Sequence, residues 1–364
     1  MEEDRMNSIG IDVGKKRCRA SIKDQHGRIL DELSFTNDSA GIRNLLSKAS
    51  RYGMARAVVE STGNMWIRIH DTLEENGIDT ILAHPLKTKL IAEAKIKSDK
   101  LDSRILADLL RGDLVYESYV PSKEFREKRS LVRHRVALVK ARTSIENKIH
   151  ALLDKYEYRT ELTDIFGKAG LQWLKGLELS PIDSVIMDTS LASIENLSIQ
   201  ISIVSRHTAK YAWNNRDVTL LLSMNGLDIF SAMVIATEIV DIGRFATPWK
   251  LVAYAGLAPG LRESAGKTRR GKITKQGSRW LRWIMVQSAR RAVIHDDRFR
   301  TYYQRIRERR GDAKAITAAA KEMLVVIWHM LTKNETYRGV KEELYKRKLA
   351  KLERIALEPE VIDE

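Results

Sequence analysis

Four carboxylates and one hydroxyl in this sequence have the types and spacing for phosphoryl transfer. Asp12 stands between Ile11 and Val13 in a short apolar run, and Glu60 closes the run Ala57-Val58-Val59. A charged side chain in a buried strand is costly unless it is paired or holds a cation. Asp99 and Asp102, in Ser98-Asp99-Lys100-Leu101-Asp102, have the i, i+3 spacing of one helix face. Four such groups meeting at the end of a sheet repel one another until divalent cations neutralise them, and oxygen-only donors suit Mg2+. Two Mg2+ ions about 4 Å apart would clamp the attacking and leaving oxygens of a phosphodiester. Ser264 lies in Arg262-Glu263-Ser264-Ala265-Gly266-Lys267. Cations around a serine oxygen lower the cost of a pentacoordinate phosphorane, the requirement for a phosphoserine intermediate. No histidine lies near it in sequence, so a base must come from elsewhere. The plainer readings are that Asp99 caps a helix and Ser264 is a turn residue.

These groups need elements to position them. Residues 8–35 alternate apolar and polar positions about the turn Asp24-Gln25-His26-Gly27, which predicts a β-meander. Strands follow at Ala57–Glu60 and Ile78–Leu82 with helical patterns between and after them, an order that suggests the mixed sheet of a ribonuclease-H-like fold. No Gly or Pro interrupts Lys123 to Tyr156, where Leu138, Ile145, Ile149, Leu152 and Tyr156 form a narrow apolar seam. A second seam runs through Ile194, Leu197, Ile201, Val204, Thr208 and Tyr211; the two could fold back on each other or pair between subunits. Around Asn225-Gly226 a helix, a tight turn and a helix resemble a helix-hairpin-helix, whose turn amides can face a phosphate. From about Asn334 the chain alternates Lys/Arg with Glu and reads as an exposed charged helix. Trp280, Trp283 and Tyr254 could stack on bases, but at helical spacing they read as core.

With 364 residues the chain has room for two domains and a connecting element. Its net charge of +15 points to a polyanionic partner. The window Leu261–Arg282 alone carries eight cations against Glu263, including Lys267, Arg269, Arg270, Lys272, Lys275 and Arg279. Cys18 is the one cysteine, which excludes an internal disulfide and a cysteine zinc site. The acidic start MEEDRMNS and the short apolar stretch at 323–331 predict a cytoplasmic protein with no membrane span. An Asp-x-Gly strand with a hairpin also opens actin-like ATPases, but Lys15 and Lys16 occupy the loop where those proteins favour small hydroxyl residues. Lys15 and Lys16 are better suited to a nucleic-acid backbone.

The ordered set Ile9-Gly10-Ile11-Asp12-Val13, Glu60-Ser61-Thr62-Gly63, Ser98-Asp99-x-x-Asp102-Ser103, Arg133-His134-Arg135, Gly256-Leu257-Ala258-Pro259, Ser264-Ala265-Gly266, Gly271-x-Ile273-Thr274-Lys275-x-Gly277 and Leu281-Arg282 resembles the DEDD transposases of the insertion-sequence 110 family. The resemblance spans residues 8 to about 330. It implies a RuvC-like metal-binding domain at 1–122, a helical coiled-coil linker at 123–215, a helical transposase domain with serine and basic loop at 216–334, and a charged tail at 335–364. It further implies an Mg2+ tetrad of Asp12, Glu60, Asp99 and Asp102, and Ser264 as the group that attacks DNA. A homodimer or homotetramer paired through the coiled coil would form a site shared between subunits, with a noncoding bridge RNA pairing to donor and target DNA. Departures are small: Asn225-Gly226 replaces the usual Pro-Gly, Ala265 follows the serine where Gly is frequent, and Ser98 replaces Thr. Two other readings remain open, a Holliday-junction-resolvase-like endonuclease using water as nucleophile and a non-catalytic nucleic-acid-binding scaffold.

Overall fold

A computed structural model describes residues 6–61, 63–85, 87, 88, 102–264 and 267–358, with only the backbone given at 102, 261–264 and 267–270. The chain divides into two compact units, Met1–Val120 and Pro121–Glu364.

Strong alternation builds the first unit. Strands β1 (Asn7–Asp12), β2 (Arg17–Lys23) and β3 (Ile29–Thr36) form the meander, followed by α1 (Ser39–Ala49), β4 (Ala55–Glu60), α2 (Trp66–Glu75), β5 (Thr80–Ala83) and α3 (Asp102–Arg111). Asp24 shapes the β2–β3 turn by accepting from the His26 and Arg28 amides, and Gly27 takes the left-handed φ of 83°. The sheet runs β3-β2-β1-β4-β5, antiparallel from β3 to β1 and parallel from β1 through β5. Its central strands are apolar on both sides because both faces are covered. Ile9, Ile11, Ala57 and Val59 pack with Ile42 and Leu45 of α1 and Ile69 and Leu73 of α2. On the opposite face Val58 and Ala83 pack with Leu106 and Leu110 of α3. Gly10 permits α3 to lie directly on β1, since a Cβ there would come within 2.0 Å of the Ser103 carbonyl oxygen and 2.4 Å of the Ala107 nitrogen.

The second unit is helical: α4 (Lys123–Lys155), α5 (Lys168–Lys175), α6 (Pro181–Trp213), α7 (Arg216–Leu222), α8 (Ile229–Ile239), α9 (Pro248–Tyr254), α10 (Arg279–His295), α11 (Asp297–Arg310), α12 (Asp312–Lys333) and α13 (Glu342–Leu357). A two-stranded hairpin, β6 (Pro259–Ser264) and β7 (Lys267–Ile273), interrupts them. Ser122 caps α4, and Ser180 with Pro181 starts α6. These two long helices pack on each other within the chain, where Ile149, Leu152 and Leu153 meet Met187, Leu191 and Ile194. The second seam holds at Ile194, Ile201 and Thr208, but Tyr211 is 47% exposed; Ala209 and Ala212 take the buried side instead. Helix α12 has the length and composition to cross a membrane. Within this unit its Ile316, Ala319, Ala320, Met323, Leu324 and Ile327 form part of the main core.

One expectation is overturned. The tail is not a solvated helix: Leu352 of α13 is fully buried, and Lys348 donates to the Leu222 and Met224 carbonyls at the end of α7. Burial pulls the Lys348 ammonium down to about 8. A charged helix with only one narrow apolar stripe hides this in composition. At the Asn225-Gly226 turn, Asn225 is buried and Gly226 partly so. Asn225 donates to Asp296 and to the Gly339 carbonyl, and a Cβ on Gly226 would meet the Ala292 backbone at 2.7 Å. These contacts hold the Asn225 side chain and the Gly226 backbone against α10 and the segment before α13.

Candidate catalytic site and nucleic-acid interface

Strand register positions the first pair of carboxylates. Parallel strands β1 and β4 are paired up to Ile11 and Val59, so Asp12 and Glu60 are the next residues along, side by side at the carboxyl edge of the sheet. Neighbouring strands lie about 4.8 Å apart, a separation that two carboxylates can bridge through a shared cation. Asp12 shares the face of Gly10, and Glu60 that of Val58, which is the face covered by α3. Asp102 is the first residue of α3 and Ser103 lies over Gly10, which brings the helix start to the same edge. Both Asp12 and Glu60 are half-buried. Burial pushes the Cys18 thiol up, and the nearby Asp12 charge adds to that. Asp99 lies outside the described residues, and among those described no group of three or more metal-ligating side chains is assembled.

Beside this edge a cleft of about 350 Å³ is lined by Arg19, Glu32, Ser103 and Arg104. Arg19 is the cross-strand partner of Asp12. Arg104 forms a two-pronged pair with Glu32 and holds that carboxyl below its usual range. Lys15 and Lys16 are exposed in the β1–β2 turn, which Asn37 pins by donating to the Gly14 carbonyl at 3.1 Å.

In the second unit, Ser264 ends β6 opposite Lys267, with Ala265-Gly266 between them. Arg262 and Arg269 are also cross-strand partners, and Leu261 pairs with Arg270. Cation-bearing positions are thus concentrated along a two-stranded ribbon with the serine at its tip. Lys272, Lys275 and Arg279 are exposed at or just beyond its base.

The base of the ribbon is tightly held. The Thr274 amide donates to Ala258, the Lys275 amide to Gly256, and Arg282 Nη1 to the carbonyls of Ala255 and Lys275. Ser278 caps α10 and donates through Oγ to Glu238 Oε2 at 2.9 Å. Glu238 is 1% exposed, and its Oε1 accepts from Arg133 Nε at 3.0 Å and Nη2 at 2.7 Å. Arg129 donates to the Thr237 carbonyl, Arg244 and Tyr254 to that of Glu238, so cations and a phenol satisfy the last carbonyls of α8. Burial pulls the Arg129 guanidinium below its ordinary value while Glu238 opposes the change.

Sequence reasoning noted Arg133-His134-Arg135 without a role and passed over Glu238. A carboxylate inside the apolar run Ile229–Val240 was the available signal, because such a group must be paired. Trp283 and Tyr254 pack against the core, as expected. Trp280 instead has Arg133, Lys140 and Arg279 within 5.3–5.5 Å of its ring centroid.

Comparison with known proteins adds to this geometry. A family model for DEDD transposases of the IS110 type, described as a transposase, matches residues 9–157. A second, described as transposase of the IS116/IS110/IS902 family, matches residues 218–304. The first range contains Asp12, Glu60, Asp99 and Asp102, the second Glu238 and Ser264. The chain is 25% identical over 345 residues to the transposase for insertion sequence element IS1111A of Coxiella burnetii, covering 91% of each chain. It is 23% identical over 343 residues to a probable family 20 transposase of Pseudomonas aeruginosa, covering 92% of this chain and 99% of that one. To an insertion element IS110 protein of Streptomyces coelicolor it is 31% identical over 121 residues, 33% of this chain and 30% of that one.

Proposed function

This chain belongs to the IS110 family of DEDD transposases, and from that premise we propose that it cuts and rejoins DNA by Mg2+-dependent phosphoryl transfer with Ser264 as nucleophile. The observation that carries the reading is the β1–β4 register, which sets Asp12 beside Glu60 at the sheet edge where α3 begins with Asp102. Hard oxygen donors of that kind fit Mg2+; with Asp99 they would hold it. The sheet order and strand directions support a RuvC-like, ribonuclease-H-like domain. The bound metal would supply charge stabilisation to the reacting phosphate.

The chain's own groups perform the remaining work. Ser264 Oγ attacks phosphorus; an O–P bond forms to the serine, the bond to one deoxyribose oxygen breaks, and the serine proton passes to a carboxylate or solvent. Rejoining reverses this, as a deoxyribose hydroxyl attacks the phosphoserine and the serine oxygen leaves. Lys15, Lys16, Lys267, Arg269, Arg270, Lys272, Lys275 and Arg279 hold the backbones, and the acidic edge of one subunit serves the serine of another. Partner pairing is supported by an unburied row on α6, where Ile182, Val185, Ile199 and Ile203 fall on one three-four repeat with Asn196 and are 47–75% exposed. The net charge suits a noncoding bridge RNA as well as DNA in the cytosol.

Incubation of the full chain with cognate DNA and Mg2+, followed by a denaturing gel, tests the reading. Ser264→Ala abolishes a covalent protein–DNA adduct, while Asp12→Asn and Glu60→Gln lose cleavage and keep binding. Cleavage surviving Ser264→Ala would establish a water-using nuclease; intact activity in Glu60→Gln would leave a scaffold. A discrete RNA copurifying with the protein is the expected sign of guiding, and a random mixture counts against it.

A further inference from the structure

The basic hairpin is not the only concentration of cations. From Arg279 to Arg310 all ten Lys/Arg positions are arginine, with no lysine between Lys275 and Lys314, and only Asp296, Asp297 and Glu308 oppose them. Solubility alone needs no such choice, since lysine serves as well on a solvated face. A planar guanidinium differs by gripping phosphate through two parallel donors.

Several of these arginines meet in one place. Between α10, α11 and α12 lies a cleft of about 580 Å³ lined by Arg290, Arg300, Tyr303, Arg307 and Asp312. Asp312 is the one carboxylate in the lining, and it already accepts the Tyr303 hydroxyl. Arg300 is committed to Asp297 and to the Val293 and Ile294 carbonyls at the end of α10. Among the described residues Arg290, Arg305, Arg307, Arg309 and Arg310 form no ion pair, and all five are exposed. Helix-dipole stabilisation accounts for cations in the last turn of α11, but not for Arg290 on a neighbouring helix facing the same cleft. Arg290 and Arg307 in the cleft, with Arg305, Arg309 and Arg310 spread over about a turn and a half of α11, make an extended cationic surface rather than a point-like one. The lining suits a chain of phosphates.

We propose that the α10–α11–α12 cleft is a second nucleic-acid site, which grips the phosphate backbone of duplex DNA through Arg290 and Arg307, separately from the Ser264 hairpin. The proposal rests on the transposase reading for the choice of DNA. Tyr303 and Asp312 brace the floor between the two arginines, and Arg300 ties α11 to α10 so that their spacing is held.

Binding of the full chain to a labelled mixed-sequence duplex of about 30 bp, titrated from about 50 to 200 mM salt, tests it. Arg290→Gln with Arg307→Gln should weaken binding about tenfold or more at the low end and make the log–log salt slope shallower by about 1.8, from two contacts at about 0.9 each. Arg290→Lys with Arg307→Lys should recover only part of the loss. Melting temperature should stay unchanged in both. Unchanged duplex affinity and slope would overturn the proposal, as would a loss confined to a stem-loop RNA probe; full affinity in the lysine pair would overturn the guanidinium-grip argument. Ser264→Ala separates the two readings: it should leave duplex binding and the Gln-pair loss intact. If it also left strand cleavage intact, the serine mechanism would fail while the cleft stood.

Discussion

The two units hold their candidate groups by different means. In the first, Asp12 and Glu60 stand together because two parallel strands are in register and side chains alternate with a period of two. In the second, Ser264 sits at the tip of a ribbon whose base is anchored by Glu238, Arg133, Ser278 and Arg282, which come from three separate helices. Strand register is a repeating backbone constraint that no single side chain carries. A buried ion pair is a single joint, and removing either partner leaves the other charge without compensation. The acidic edge should therefore tolerate many substitutions that the serine ribbon would not.

The largest effect expected is at that joint. Glu238→Ala should destabilise the second unit by about 3–5 kcal/mol in denaturant unfolding, because the mostly buried Arg129 loses its compensating charge and Arg133 and Ser278 lose a buried acceptor. Proteolysis at residues 259–273 should quicken at the same time; slow cleavage there would show that the ribbon does not depend on the joint.

Leu352→Ala should cost about 2–5 kcal/mol in the same measurement, since it opens a cavity beneath a helix that composition describes as a charged tail. A change within a few tenths would mean that α13 adds little to the unit.

On the acidic side, Gly10→Ala should destabilise by about 1–3 kcal/mol by pressing on the first turn of α3. Metal-dependent cleavage should fall with it, because Asp102 moves off the edge. Undiminished activity in this variant would break the contrast, showing that the α3 position is not needed.

The smallest effect concerns the α4–α6 pair. Lys155, Tyr156 and Ser180 donate to Asp183 and hold its carboxyl at about 2, against an ordinary 3.8. A depressed carboxyl stabilises the folded state above its unfolded value and loses that effect as pH falls through the folded one. Thermal stability should decline between about pH 4 and pH 2, and Asp183→Asn should flatten the decline.

Much of the first unit was legible beforehand. The meander and the buried strand ending in Glu60 announce themselves by alternation and by charges placed in apolar runs, and the long helix from Lys123 by the absence of Gly and Pro. Less was legible in the second. Asn225-Gly226 marks a turn, but nothing local reports that the Asn225 side chain reaches Asp296 and Gly339, 71 and 114 residues away. The tail looked solvated because its charges outnumber its apolar stripe, and no local pattern reports that Lys348 reaches the carbonyls of Leu222, the last residue of α7, and Met224 beyond it.

What the sequence determined by itself were the properties that repeat locally: which segments alternate, which helices run long, where positive charge accumulates, and which carboxylates sit in strands. Tertiary structure alone decided the rest. It set which strand neighbours which, that α3 crosses β1 at Gly10, that Glu238 gathers Arg133 and Ser278, and that arginines from two helices line one cleft. The physical reason is that backbone periodicity acts between near neighbours along the chain, whereas paired charges and packed surfaces depend on distances that exist only after folding.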